Sequence, residues 1–232
     1  MINKIDNDVY QIDNVLDKNT LDNLQKYIYN CNWQFGQTNS VLEGQKDTLD
    51  RNAGLLANDV ERAWYRVIDN NAPIHFWRHD VFEDYDYSPD GGTSSGAFAN
   101  WKSSEEYISE YKNFININNS FREISDGIIK DYEPTLIYLN GQTSGQCGGI
   151  HQDNNLPVGT EYSVLFFPME WKINWGGQLI LYNSNHSDTS HIIHPKKNRL
   201  IIFDGSIYHQ GTSPNLNTNR MRTSLSYKMN KR

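Results

Sequence analysis

The chain reads as a mainly β protein with N-terminal α-helices, its second half forming a β-sandwich or jelly roll. Three observations point that way. After Pro134, short runs rich in Val, Ile, Leu, Tyr and Phe are separated by clusters of Gly, Asn, Pro and Ser, the grammar of repeated strands. Before it, apolar residues recur at helical spacing. At 232 residues the chain can bury one sizeable core, and all-β barrels and sandwiches of that length commonly form a single domain. The expectation is one domain over 1–232, with 1–133 as mostly helical support and a lid region and 134–229 as the β core.

The elements follow in order. Residues 7–15 (NDVYQIDNV) alternate well enough for a first strand, and Asn19-Thr20 then precedes Leu21, Leu24, Tyr27 and Ile28, one face of a helix. Val60, Trp64, Val67 and Ile68 predict a second helix, followed by a short strand over 73–77. The stretch 83–100 is rich in Gly, Ser, Asp and Tyr without a period, which fits a long surface loop that could serve as a lid. Ser103 and Glu106 make a capping box that opens a helical region with apolar positions Tyr107, Ile108, Tyr111, Phe121, Ile124 and Ile128. Strands are then expected near 135–140, 148–153, 160–167, 177–182, 190–194, 199–204 and 222–229. Gly176-Gly177 and Asp204-Gly205 are the clearest turn signals.

Composition narrows the function. A formal charge of -7 and a pI near 5.4 argue against an extended nucleic-acid footprint, which needs clustered Lys and Arg. Cys31 and Cys147 are too few for a disulfide framework or a thiolate metal site, and no stretch approaches the ~18 apolar residues of a membrane span. A soluble, cytoplasmic protein with no membrane partner is expected. Its oligomeric state is not written in the sequence.

One constellation carries chemistry. In an extended strand residues i and i+2 share a face, so His151 and Asp153 can reach one ion while Gln152 points away. His209, just past the apolar run LIIFDGS, can supply a third ligand if its strand lies beside the first. Two histidines and a carboxylate are the facial triad of non-haem Fe(II) oxygenases, which leave one side of the metal open. A second His-x-Asp, His186-Ser187-Asp188, sits in a polar loop with no preceding strand and reads as a decoy; His75, His79, His191 and His194 read as loop or packing histidines. Arg222 opens RTSLSYK, where Arg222, Ser224 and Ser226 alternate with Leu225 and Tyr227. A guanidinium and the Ser224 hydroxyl on one face could take a carboxylate. Arg220 has the same parity and competes for that role.

Taken together, LIYLNGQTSGQCGGIHQDNN, EYSVLFFPMEW, WGGQLILYN, HPKKNRLIIFDGSIYHQGTSP and RTSLSYK resemble, in order and spacing, the double-stranded β-helix of the Fe(II)/2-oxoglutarate-dependent dioxygenases, in the prolyl 4-hydroxylase-like branch. The likeness covers residues 134–229. It implies a cupin-like jelly-roll core and an enzyme using Fe(II), 2-oxoglutarate and O2, with ascorbate as reductant. The implied reaction decarboxylates 2-oxoglutarate to succinate and hydroxylates an amino-acid or peptidyl, prolyl-like substrate. Asp153 favours hydroxylation, since halogenating relatives give up this carboxylate. The resemblance makes Tyr138 a contact for 2-oxoglutarate or substrate. At Phe166 the family's carboxylate-binding tyrosine is missing, which transfers that role to Ser224 or Tyr162. Asn154 is placed to face substrate. A nucleobase or other small-metabolite hydroxylase, and a non-catalytic cupin-like binding module, are the alternatives.

Overall fold

The structure, a computed structural model, describes residues 2–37, 76–83, 105–154, 156–185 and 187–231. Two antiparallel sheets dominate it. The larger has eight strands, built from β1 (Ile2–Asp6), β2 (Val9–Asp13), β3 (Gln34–Gln37), β4 (Phe76–Glu83), β5 (Tyr132–Gln142), β6 (Glu161–Phe167), β9 (Arg199–Asp204) and β11 (Arg222–Lys231), in the order β1-β2-β9-β6-β11-β5-β4-β3. The smaller joins β7 (Leu179–Tyr182), β8 (Thr189–Ile193) and β10 (His209–Gly211) in the order β10-β7-β8. This is the jelly-roll arrangement expected, with a difference in the N-terminal part. That part adds four strands to the large sheet as well as helices, because β2 pairs with β9 and β4 with β5.

Side-chain alternation divides the large sheet into two faces. Leu200, Ile202, Val164, Phe166, Leu225, Tyr227 and Met229 pack with α1 (Lys18–Asn30) and α2 (Glu105–Ile124). Residues of opposite parity, Ile201, Phe203, Leu165 and Phe167, meet Leu179, Leu181 and Ile193 of the small sheet. On β11 the same alternation puts Leu225 and Tyr227 into the helix-side core and leaves Arg222, Ser224, Ser226 and Lys228 facing the small sheet.

The helices are held by local chemistry and by their buried faces. Asp17 caps α1, its carboxylate accepting from the N–H groups of Asn19 (2.8 Å) and Thr20 (3.0 Å) and from the Thr20 hydroxyl (2.6 Å). The helix therefore starts ahead of the Asn19-Thr20 pair. Leu21, Leu24 and Ile28 are buried as their spacing predicts. In α2, Phe114, Ile117 and Phe121 are buried, and Tyr227 Oη donates to Phe114 O at 2.9 Å. Asp126 (φ 50) and Gly127 (φ 87) take left-handed conformations that end the helix, so Ile128 lies beyond it. The helix expected at 60–68, the 84–100 loop and Ser103 lie outside the described residues.

Most strand boundaries fall within a few residues of expectation; 148–153 does not form a strand. It runs instead as an irregular segment tied to β10 by one antiparallel bridge, with His151 N donating to His209 O (3.0 Å) and His209 N to His151 O (2.8 Å). Before β7, Gly176 (φ 72) and Gly177 (φ 73) take consecutive left-handed conformations that few other residues tolerate.

At the outer end of β2, Asp13 accepts from Arg199 Nε (2.7 Å) and Nη2 (3.0 Å) and from Lys196 Nζ (2.9 Å). The hydrogen bond from Arg199 is the chief reason its carboxyl falls from 3.8 to about 2. A carboxyl depressed on folding stabilises above its unfolded value and loses that contribution as pH falls through its folded one. Asp13→Asn should therefore cost about 1 kcal/mol at neutral pH, after allowance for solvent screening. Urea denaturation of the two proteins should show that gap closing between pH 4 and pH 2.

Candidate active site

The bridge between the irregular segment and β10 sets the metal-binding geometry. It places His151 and His209 opposite each other with ring centroids 4.2 Å apart. Each imidazole is turned by the same device. Nδ1 of His151 donates to Gly149 O (2.9 Å) and Nδ1 of His209 to Ile207 O (2.9 Å), which fixes the tautomer and leaves both Nε2 atoms as acceptors. Asp153 completes the group, Oδ1 lying 3.6 Å from His151 Nε2 and Oδ2 3.7 Å from His209 Nε2. The three ligand atoms fall within 4.8 Å of one another, so the group could hold one ion. Burial pushes His151 down to about 4 and His209 well below its usual value, so both are neutral at pH 7, the form that binds metal.

The Asp153 carboxylate is held from two sides. Ser163 Oγ donates to Oδ2, and Lys228 Nζ forms an ion pair with the same oxygen. Burial pushes Lys228 down to about 7, with the charge of Arg78 adding to the effect; its ion-pair partner is the Asp153 carboxylate. From behind, Gly205 O accepts from Asp153 N (2.8 Å) and Asn154 N (3.2 Å), while Gly205 N donates to Glu161 O (2.9 Å). Asn154 Nδ2 donates to Glu161 Oε1 (2.9 Å), and its Oδ1 accepts from Leu156 N (2.9 Å). Asn154 thus braces the turn and is not among the residues lining the cavity.

A cavity runs from this group between the two sheets. Its far end is Arg222, 4% exposed, with a guanidinium that donates to Gln142 Oε1 and lies 5.3 Å from the Phe167 ring centroid. Burial pushes Arg222 down to about 10, still charged at pH 7. Arg220 is exposed on the preceding loop. Small neighbours make room for the guanidinium. A Cβ at Gly211 would stand 3.4 Å from Nη1, and one at Gly177 would stand 3.0 Å from Arg222 Cδ. Along the wall, Ser224 Oγ, Ser226 Oγ, Asn140 Oδ1 and Arg222 Nε are buried without a hydrogen-bond partner. Unsatisfied buried donors and acceptors of this kind await a polar ligand.

The structure thus brings together His151, Asp153, His209, Arg222, Ser224 and Tyr138, all of which line the cavity or its metal end. It does not bring Tyr162, whose hydroxyl donates to Asp8 (3.4 Å) and whose ring packs on Tyr132, on the helix side of the sheet. Phe166 also faces the helices, against Phe121, so the absence of a tyrosine there leaves the cavity unaffected. Of the other histidines, His79 bonds the Tyr27 hydroxyl (2.7 Å) and His191 lies 3.7 Å from Asp6; His75 and His186 are outside the described residues. Sequence reasoning missed Lys228 and Ser163. The alternation that picked out Arg222, Ser224 and Ser226 reaches Lys228 one step further, and the matching step on β6 yields Ser163, its partner in register.

Residues 136–227 match the model of the 2OG-Fe(II) oxygenase superfamily. That segment is similar to a 2OG-Fe(II) oxygenase core. The segment carries the histidine–aspartate–histidine group, and its likeness to that superfamily supports an oxygenase. Solved structures of the same fold include an oxidoreductase of the 2OG-Fe(II) oxygenase family from Burkholderia pseudomallei, at 12% identity and TM-score 0.57, covering 98% of this chain and 87% of the other. Another is a prolyl hydroxylase from Trichoplax adhaerens, in complex with a hypoxia inducible factor oxygen degradation domain peptide fragment. It is 17% identical with TM-score 0.55, covering 97% of this chain and 84% of the other. No curated protein matches the chain in sequence. Among the described residues no helix is long and apolar enough to cross a membrane.

The brace behind Asp153 can be tested directly. A Cβ at position 205 would collide with Asn154 Nδ2 and stand 2.8 Å from Glu161 Oε1. Gly205→Ala should destabilise the fold by about 2 kcal/mol. Adding Asn154→Ala should recover part of that loss, a non-additive pair in a chemical-denaturation cycle.

Proposed function

We propose that the chain, acting as one domain in the cytoplasm, is an Fe(II)- and 2-oxoglutarate-dependent hydroxylase of an amino-acid or peptidyl, prolyl-like substrate, with ascorbate as reductant. The supporting observation is a single cavity with a neutral two-imidazole, one-carboxylate group at one end and a buried arginine at the other, joined by unpartnered polar atoms. That donor set suits a ferrous ion. The lone donors along β11 and β5 suit a dicarboxylate stretched between ion and arginine. The prolyl-like substrate rests on the order of the sequence motifs and on the fold shared with the Trichoplax prolyl hydroxylase.

When bound, Fe(II) and 2-oxoglutarate supply an oxidant formed from O2, with loss of CO2 and release of succinate. The chain supplies position. His151, Asp153 and His209 would hold the metal on one side, their rings fixed by the Gly149 and Ile207 carbonyls. Arg222 would take the distal carboxylate through a charge-assisted contact, with Gln142 steering its guanidinium and Ser224 adding a hydroxyl. Tyr138 would line the substrate side of the cavity. Phe203, whose ring lies 4.8 Å from that of His209, and Leu165 provide the apolar wall that keeps water away.

Succinate formation from 2-oxoglutarate with Fe(II), ascorbate and O2, read beside the anaerobic charge-transfer band of the chelate, tests this function. Wild-type protein should show the band, and His151→Ala should lose both band and metal. Arg222→Ala should need roughly a hundredfold more 2-oxoglutarate while keeping metal affinity within a few-fold. A chain that binds neither metal nor 2-oxoglutarate would end the proposal.

A further inference from the structure

Gln142 and Arg222 are partners in register at the paired ends of β5 and β11, and both are buried. A primary amide has one acceptor and two donors in a fixed plane, and here all three are used. Gln142 Nε2 donates to Gln146 O (3.3 Å) and to Gly211 O (3.1 Å), while Oε1 accepts from Arg222 Nη1. Turning the amide over would set its oxygen against two carbonyl oxygens and its nitrogen against a guanidinium. Only the observed orientation satisfies every group.

The two carbonyls are themselves held in place. Gln146 Oε1 accepts from Thr143 N (2.7 Å) and from Thr143 Oγ1 (3.0 Å), which closes the turn that carries Gln146 O. Gly211 O accepts a second hydrogen bond, from Gly148 N (3.0 Å). The amide also has little room to move, since a Cβ at Gly211 would stand 3.1 Å from Gln142 Oε1 and 3.4 Å from Arg222 Nη1. Gln142 is therefore a rigid acceptor built to meet one nitrogen of the guanidinium.

That choice of nitrogen decides which edge of Arg222 is left over. Nη1 lies on the Cδ side of the guanidinium; Nε and Nη2 form the opposite edge, two N–H groups side by side that match the two oxygens of a carboxylate. Nε is buried and has no partner among the described residues, and neither has the hydroxyl of Ser224, two residues along the same strand face. With Nη1 tied to Gln142 and the Phe167 ring centroid 5.3 Å from the guanidinium carbon, the plane of the group is set before any ligand arrives.

We infer that Gln142 is a positioning residue for the co-substrate: by holding Nη1 it presents the Nε and Nη2 edge of Arg222 to the distal carboxylate. This rests on the proposed hydroxylase reading and deepens it, adding a residue that acts on the ligand only through the arginine.

The test uses the full chain loaded with Mn(II) in place of iron and reads binding by calorimetry. 2-Oxoglutarate is compared with 2-oxobutyrate, the same 2-oxo acid without the distal carboxylate. Gln142→Met, similar in size and lacking the amide, should cut the preference for 2-oxoglutarate over 2-oxobutyrate roughly tenfold, the scale of one hydrogen bond to a charged group. Mn(II) affinity should stay within a few-fold. In an Arg222→Ala background the same change should leave the preference where Arg222→Ala alone puts it. Gly211→Ala, which crowds Oε1 and Nη1 without removing either, should also lower the preference, and it carries the test if Gln142→Met does not fold. An unchanged preference in a folded variant would overturn the assignment. So would an equal loss of affinity for both acids, or a further loss in the Arg222→Ala background, because either would mark a general disturbance of the cavity. Wild-type protein that binds Mn(II) and no 2-oxoglutarate would strike the hydroxylase reading and this inference with it, a result distinct from those that strike Gln142 alone.

Discussion

Two reciprocal hydrogen bonds between the backbones of His151 and His209 hold the site together. Neither histidine's segment is chemically competent alone. One is an irregular turn and the other a three-residue strand, and their separation in sequence means that closing the loop between them costs conformational entropy which only the packed sheets can offset. Once the bridge forms, the side-chain positions follow. Each Nδ1 meets a carbonyl two residues upstream in its own segment, and Asp153 is brought in by the Gly205 carbonyl of the turn after β9. The site is therefore a product of the whole β topology.

The cavity draws its polarity from strand alternation in the large sheet. β11 sits at the centre, hydrogen-bonded to β5 on one side and β6 on the other, and every second residue of these three strands looks toward the small sheet. That face carries arginine, lysine, serine, asparagine and glutamine, while the opposite face of β11 is filled with Leu225, Tyr227 and Met229. Burying so many polar groups is tolerable because ion pairs and backbone contacts meet part of the demand. What they leave unmet faces the cavity between the two sheets.

Much of this could be read from the residues. His-x-Asp, a distal histidine after an apolar strand, and an arginine opening an alternating strand each name a contact that spacing alone makes plausible. Strand parity is enough to choose the cavity face of β11, and the same alternation reaches Lys228. Parity alone does not place Tyr162, because strand β6 is buried on both faces and only the packing partners tell them apart. The sequence alone does not place Asn154 either, for a related reason. Its role depends on Glu161 and Gly205, which meet it only in the folded chain. The 148–153 segment looked like a strand by composition, yet its glycines serve a turn whose partner is three residues long.

The double use of β11 carries a consequence for how this protein can change. A shift of its pairing by one residue would carry Arg222 and Lys228 into the aromatic layer against α2 and turn Tyr227 toward the metal ligands, so the hydrophobic contacts that favour the native register also proofread the chemistry. Lineages can therefore retune the cavity by exchanging single side chains on the polar face, while inserting or deleting one residue within the strand is closed to them. Variation in length is left to the loops at its ends.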